Sequence, residues 1–301
     1  MSEKITNPYI ILKEYLDSKD CDQIKKLMEL SYSKDQTNLK LELDYKLTVV
    51  KHAKDRLKNI NEYLYYIDGH LVSYLGICDF GGNVLELNGL THPDYRRQGL
   101  FGKLFALAVQ EAKRAGQENV LLLTDEKSVS GNRFIEKAGG SYKTSEYRMK
   151  LSEKPDLEGL AASVKKEVTL KTADKSDLKD IARQNAIHFN TTEESEAALL
   201  DESSLQEGLY MIQLNGETIG KIQVDYEDNY AFIYGFGILP EFRGRGYGKS
   251  AFSNTLSIIK GKNISNVELD VESKNRNAMN LYKSFGFEEM SVMNYYNYVI
   301  E

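Results

Sequence analysis

The stretch EFRGRGYGKS, residues 241–250, sets Gly244, Gly246 and Gly248 among Arg243, Arg245 and Tyr247, between an apolar run and a helical pattern. Stretches of this kind hold phosphate. At a strand-to-helix junction the N–H groups of the loop and of the first helical turn point outward, and the helix dipole favours an anion there. Glycine lets the backbone approach a pyrophosphate where a Cβ would collide. A P-loop would need glycine in place of Arg243, and the dinucleotide fingerprint would need it in place of Lys249, so each misses by one residue. What remains is Arg243-x-x-Gly246-x-Gly248, with a ligand-free glycine turn as the alternative.

Outward from this loop the chain repeats itself. At an offset of 147, YLYYIDGHLVSYLG (63–76) lies over YMIQLNGETIGKIQ (210–223), and THPDYRRQG (91–99) over ILPEFRGRG (238–246). NVLLLT (119–124) falls on NVELDV (266–271), and FIEKAGG (134–140) on LYKSFGF (281–287), without a gap. The openings LDSKDCDQI (16–24) and ADKSDLKDI (173–181) match at 157, so the first copy carries ten extra residues. Two copies of one fold are expected, at 1–150 and 167–301, joined by a charged linker over 151–166.

Each copy reads as a mixed α/β unit. An amphipathic helix, near 20–32 and 177–189, opens at an Asp or Ser cap. Two strands follow, joined at IDGH or LNGE, where Asp-Gly and Asn-Gly signal hairpins. A third strand leads into the glycine loop and a helix with the apolar stripe Phe101, Leu104, Phe105, Ala108 or Phe252, Leu256, Ile259. Gly116 and Gly261 stand where a residue just past a helix end would. A strand, a short helix and a final strand close the copy.

Composition narrows the partners. The 301 residues are 41% apolar and 28% charged with net charge −6, which argues against nucleic acid or an anionic membrane. The opening MSEKITNPYI has no apolar signal core, and no apolar run reaches the ~20 residues of a membrane span. Cys21 and Cys78 read as reduced thiols of a cytoplasmic chain, and His52, His70, His92 and His188 form no metal-ligand pattern, so no metal is expected.

Downstream of the loop, LDVESKNRNAMNLYKSFGF (269–287) carries Asn275, Ala278, Leu281, Tyr282 and Gly286. With Arg243-x-x-Gly246-x-Gly248, this run resembles the GCN5-related N-acetyltransferase (GNAT) family, whose signatures are R/Q-x-x-G-x-G/A and N-x-x-A-x-x-L-Y-x-x-x-G-F. The resemblance covers nearly the whole chain, because the first copy follows the same plan with a weaker motif. It implies two tandem GNAT domains, acetyl-CoA as donor, and coenzyme contacts from Arg243, Gly244, Arg245, Gly246, Tyr247, Gly248 and Lys249. The acceptor would be a primary amine of a small molecule or a peptide N-terminus. A coenzyme-binding protein without catalysis is the alternative, and either a monomer or a homodimer is compatible.

Acyl transfer to an amine needs a base, close approach of nitrogen to thioester carbon, a donor for the carbonyl oxygen, and stabilisation of the leaving thiolate. AFIYGFGIL (231–239) holds Gly235 and Gly237, which inside a strand mark a bulge or a close approach. By resemblance this strand splays from its neighbour, and the Ile238 N–H serves the carbonyl and the coenzyme arm. Tyr282, by resemblance, gives its phenolic proton to the thiolate; Ala278, Leu281, Tyr282 and Phe285 also fit a plain core stripe. Asn275 binds the coenzyme arm or caps the helix. Asp270, twelve residues before Tyr282, is the candidate base, with Glu272 behind it, although Glu268, Asp270 and Glu272 also alternate as on any half-exposed strand.

At the 147 offset Tyr282 falls on Ile135, Asp270 on Leu123 and Asn275 on Ser128, while the first loop, Arg96-x-x-Gly99-x-Phe101, has Phe in place of Gly248. The expectation is one catalytic copy, the second, and a degenerate first copy that supports it.

Overall fold

The structure, a computed structural model, describes residues 7–49, 59–80, 84–152, 167–189 and 191–301. His52 and nearly all of the expected linker lie outside the described residues. The chain divides into two units, 1–146 with 291–301, and 147–290.

The first unit comprises β1 (Pro8–Lys13), α1 (Ser18–Asp35), α2 (Leu43–Val49), β2 (Glu62–Ile67), β3 (His70–Cys78), β4 (Leu85–Thr91), α3 (Leu100–Arg114), β5 (Asn119–Asp125), α4 (Val129–Ala138) and the start of β6 (Ser141–Leu151). Strands β1 to β4 are antiparallel neighbours in sequence order, and β4 runs parallel to β5. The turn between β2 and β3 is the expected Asp-Gly hairpin, with Asp68 and Gly69 both at positive φ. Asp17 caps α1 in a capping box with Asp20.

The second unit repeats this order with β7 (Thr169–Thr172), α5 (Leu178–Phe189), α6 (Glu193–Leu199), β8 (Leu209–Leu214), β9 (Glu217–Glu227), β10 (Tyr230–Ile238), α7 (Tyr247–Gly261), β11 (Asn266–Glu272), α8 (Arg276–Ser284) and the start of β12 (Phe287–Val299). Asp174 and Asp177 form the matching capping box ahead of α5, which fixes the 157 offset between the opening helices. One core holds Ile222, Val224, Ile233, Val267 and Leu269 from the strands, Phe252 and Leu256 from α7, and Tyr282 from α8. Among the described residues no helix is long and apolar enough to cross a membrane.

Three differences from the sequence reading carry physical content. Residues 291–301 belong to the first unit and 147–150 to the second. The cause is strand pairing: Met293–Val299 of β12 run antiparallel to β5, from Asp125 back to Asn119. A repeat in sequence reports the kinship of segments, whereas sheet membership is decided by the backbone groups each strand satisfies.

The gapless 147 offset also conceals a bulge. Leu85 pairs with Val120 in the first unit, but Ala231 pairs with Val267 in the second, so β10 lies one residue out of step upstream. The step is recovered between Tyr234 and Gly237, where three steps of β10 face two of β9. Gly235 takes φ +56 inside it. The equivalent β3–β4 ladder, Ser73–Cys78 against Thr91–Glu86, has no bulge.

Finally, Gly261 lies in the last turn of α7, and Asn263 takes the left-handed conformation (φ +61). Gly116 does follow α3 at positive φ as expected.

Candidate active site

Strands β10 and β11 pair only from Tyr230–Ile233 to Asn266–Leu269, while β10 continues to Ile238. Beyond Ile233 the two parallel strands have parted. On the other edge, the Leu239 N–H donates to Ile219 O at 2.9 Å. Antiparallel alternation then turns the N–H and C=O of Ile238 away from β9, toward the side that β11 has left. The bulge therefore aims the unladdered peptide group of Ile238 into the split.

The Ile238 carbonyl accepts from Arg243 Nε at 2.7 Å. Arg243 thus ties the end of β10 to the glycine loop, a positioning role in place of the expected coenzyme contact by this nitrogen. The first unit preserves the tie, with Arg96 Nε on Thr91 O at 3.1 Å.

Gly244 and Gly246 adopt φ +76 and +88, and Gly246 is the N-cap of α7 with no side-chain cap. Nothing lies within 4 Å of where a Cβ would stand on either residue. The free N–H groups at the head of this fifteen-residue helix open onto unobstructed space. Gly248, in the first helical turn, would bring a Cβ to 3.7 Å from Ile238 and Phe236. These features fit a pyrophosphate arm. In the first unit Gly99 keeps the same conformation (φ +79), and Arg97 takes φ +64 where Gly244 stands. Phe101 turns inward there, its ring 4.8 Å from that of Phe134.

Tyr282 is 7% exposed and packs its ring 5.1 Å from Phe252. Its hydroxyl has no hydrogen-bond partner among the described residues, and burial pushes its pKa up to about 12. Core packing and an unengaged phenol are therefore both true of it. Asn275 is the N-cap of α8, its Oδ1 accepting from the Ala278 N–H at 3.2 Å. Of the two expected roles for Asn275, the cap is the one seen.

Asp270 is placed differently from its expected role. Arg148 grips both of its oxygens, Nε at 2.5 Å and the second nitrogen at 3.1 Å, and also reaches Glu268 at 3.3 Å. Val267, Leu269 and Val271 join Tyr282 in the core, so Glu268, Asp270 and Glu272 occupy the opposite face of β11. Both carboxylate oxygens are thus engaged by one guanidinium on the face of β11 away from Tyr282, which argues against Asp270 as the base.

A group that the sequence reading passed over lies at the bulge. The buried stripe of α5 carries Ile181, Gln184, Asn185 and His188, at helical spacing. His188 sets its ring against Gly237, where a Cβ would collide with it, and its Nε2 is buried without a partner among the described residues. Burial first, then the charges of Lys221 and Arg243, hold the imidazole below its ordinary pKa, with the Ile238 backbone opposing. Lys221 pairs in register with Gly237 and is 7% exposed. Burial brings its pKa down to about 8 against a pull from Glu196. Gln184 is 1% exposed and neither of its amide atoms has a partner among the described residues.

The first unit fills the same place. Its α1 stripe is Ile24, Leu27, Met28 and Ser31; Tyr74 matches Lys221 and Leu90 matches Gly237, and most of these join one apolar cluster. The polar groups there are satisfied: Lys46 bonds Glu62 at 2.6 Å, and Tyr74 gives its hydroxyl to the same carboxylate at 2.5 Å. The 157 offset was therefore the signal for His188, read as the polar residues that break an otherwise apolar stripe. Among the described residues no group of His, Cys, Asp and Glu is placed to hold a metal ion.

Comparison with known proteins bears on the family and the fold. The acetyltransferase (GNAT) family model matches residues 23–139 and 176–287. Mycothiol acetyltransferase of Renibacterium salmoninarum is 25% identical over 230 residues, 71% of this chain and 67% of its own. A GCN5-related N-acetyltransferase from Sphaerobacter thermophilus superposes with TM-score 0.76 at 17% identity, covering 97% of this chain and 96% of its own. A tandem GNAT protein from the clavulanic acid biosynthesis pathway superposes with TM-score 0.71 at 15% identity, covering 98% and 99%.

Proposed function

Since the chain belongs to the acetyltransferase (GNAT) family and is an N-acetyltransferase, we propose that its second unit moves acetyl from acetyl-CoA to a primary amine, of a small molecule or a peptide N-terminus. The observation that carries this reading is the split beyond Ile233 with the Ile238 N–H aimed into it, beside the open glycine loop. The first unit, whose equivalent space is packed with Leu27, Tyr74 and Leu90, is the supporting copy.

Acetyl-CoA when bound supplies an activated thioester; the remaining steps belong to the chain. The N–H groups of residues 244–248 would hold the pyrophosphate, with Arg245, Tyr247 and Lys249 flanking it. The Ile238 N–H donates to the carbonyl oxygen as charge gathers there, a kind of contact worth roughly 3 kcal/mol in acyl transfer. His188, neutral at pH 7, takes the proton from the amine nitrogen as that nitrogen bonds to the carbonyl carbon and the carbon–sulfur bond breaks. Tyr282 would serve the departing sulfur. A phenol near 12 lies about 3 units above an ordinary thiol, so complete proton transfer would be uphill by about 4 kcal/mol. Its contribution is a hydrogen bond to the forming thiolate, which takes its proton finally from solvent.

The test is thiol release from acetyl-CoA across a panel of primary amines. The reading expects amine-dependent release that falls at least tenfold in Tyr282→Phe and is unaffected by Ile135→Val. Amine-dependent release that survives in Tyr282→Phe with Ile238 and the loop disrupted by Gly246→Trp would contradict it.

A further inference from the structure

We propose that the second unit's acceptor is an amine that also carries a carboxylate, an amino acid or a close analogue, and that Lys221 is the counter-charge for that carboxylate. This rests on the reading of the second unit as the transferase and names the substrate class of that site.

The first observation is a buried cation without an anion. Lys221 is 7% exposed, and no ion pair or hydrogen bond engages its ammonium among the described residues. The groups facing it are His188 from α5, Glu196 acting from α6, and Gln223 beside it at Gly235, with Gln184 one turn before His188 on α5. Buried ammonium groups ordinarily have partners, because an unpaired one costs several kcal/mol. Elsewhere the chain obeys this rule: Lys46, equally buried, sits on Glu62, and Arg148 sits on Asp270.

The second observation is independent of charge. Gln184, 1% exposed, has neither amide atom satisfied among the described residues, and Asn185 Oδ1 and His188 Nε2 share that state. Four neighbouring residues thus hold polar groups ready for a ligand. One ammonium and one amide N–H suit the two oxygens of a carboxylate.

The third is position. Lys221 pairs with Gly237 and its Nζ lies 3.5 Å from where a Cβ of Gly235 would stand. The His188 ring lies against the same Gly237. An acceptor with its carboxylate on Lys221 would hold its amine a few bonds away, by His188 and the Ile238 N–H. The cation also disfavours the ammonium form of that amine, which eases its deprotonation. The packed first unit, with Tyr74 and Leu90 at these positions, offers no such place.

The experiment compares matched acceptors on the full chain at saturating acetyl-CoA: the common amino acids, their carboxamides, and the corresponding decarboxylated amines. Thiol release gives kcat/KM, and calorimetry gives the binding of each free amino acid and of acetyl-CoA. Wild type should prefer acids over amides by about 10- to 100-fold, as for a hydrogen bond to a charged group. Lys221→Met should abolish that preference through acceptor KM, leave acetyl-CoA affinity unchanged, and Lys221→Arg should retain it in part. Equal use of amides and amines by wild type overturns the proposal, as does a preference that survives Lys221→Met. Weaker acetyl-CoA binding in Lys221→Met overturns it too, by assigning the cation to the coenzyme. Amino-acid binding that depends on Lys221 without any transfer would keep the pocket and reject the transferase reading instead. Neither binding nor transfer of any amino acid rejects the pocket.

Discussion

The imidazole of His188 lies where Gly237 lacks a Cβ, and the two residues lock the end of α5 against the bulge of β10. Any side chain at 237 must displace that ring. Gly237→Ala is expected to cost about 1–3 kcal/mol by overpacking, and to lower kcat/KM at least tenfold while acetyl-CoA affinity holds. Denaturant unfolding and steady-state rates on the same preparation check both effects.

The depressed His188 pKa sets the acid side of the activity. The base is active only when neutral, so kcat/KM referred to the free-amine concentration should fall with acid only below the ordinary imidazole range. His188→Gln should remove this limb and lower the plateau by about 10²-fold or more, the usual range for a general base. A limb unchanged in His188→Gln would assign the proton to another group.

Lys221 links function to stability with a definite sign. Its folded pKa of about 8 lies below the unfolded 10.5, so the ammonium form is disfavoured in the fold. Stability from this group is complete above pH 10.5 and is lost as pH falls through 8, by up to about 3 kcal/mol. Lys221→Met should therefore be more stable than wild type at pH 7, with the advantage gone near pH 10.5. Urea midpoints at the two pH values measure it, and the variant should lose acceptor recognition as it gains stability.

Asp270→Asn separates structure from catalysis. Removing one partner of the Arg148 pair, which is only partly exposed, should cost about 2–3 kcal/mol of stability. The rate per folded molecule should stay within about threefold, because a merely structural carboxylate leaves the barrier alone. A fall of kcat by about a hundredfold with stability intact would restore Asp270 as the base.

Much of this was legible in the sequence where local chemistry determines local structure. The glycine loop, the Asp-Gly and Asn-Gly hairpins and the Asn275 cap each depend on a few neighbouring residues, and they were read from them. The splay of β10 followed from Gly235 and Gly237 together with the resemblance. What the sequence hid depends on partners far along the chain. Asp270 looks like a catalytic carboxylate until Arg148, 122 residues away, is seen to hold it. The last strand repeats its counterpart in the first copy, yet its residues 293–299 pair with β5, and no local pattern specifies that choice. The sequence singles out neither His188 nor Lys221 as a site residue, because their burial comes from the packing of α5 onto a bulge, which periodicity does not report.

The central claim is that the donor binds and reacts in the second unit. It is tested most directly by calorimetric titration of acetyl-CoA into wild type, Gly246→Trp and Gly99→Trp. Both substituted glycines are at positive φ with open space around them, so the two tryptophans impose comparable backbone strain and differ in which loop they cover. The account predicts one equivalent bound by wild type and by Gly99→Trp, and none by Gly246→Trp. Two equivalents in wild type, or binding lost only in Gly99→Trp, would contradict it.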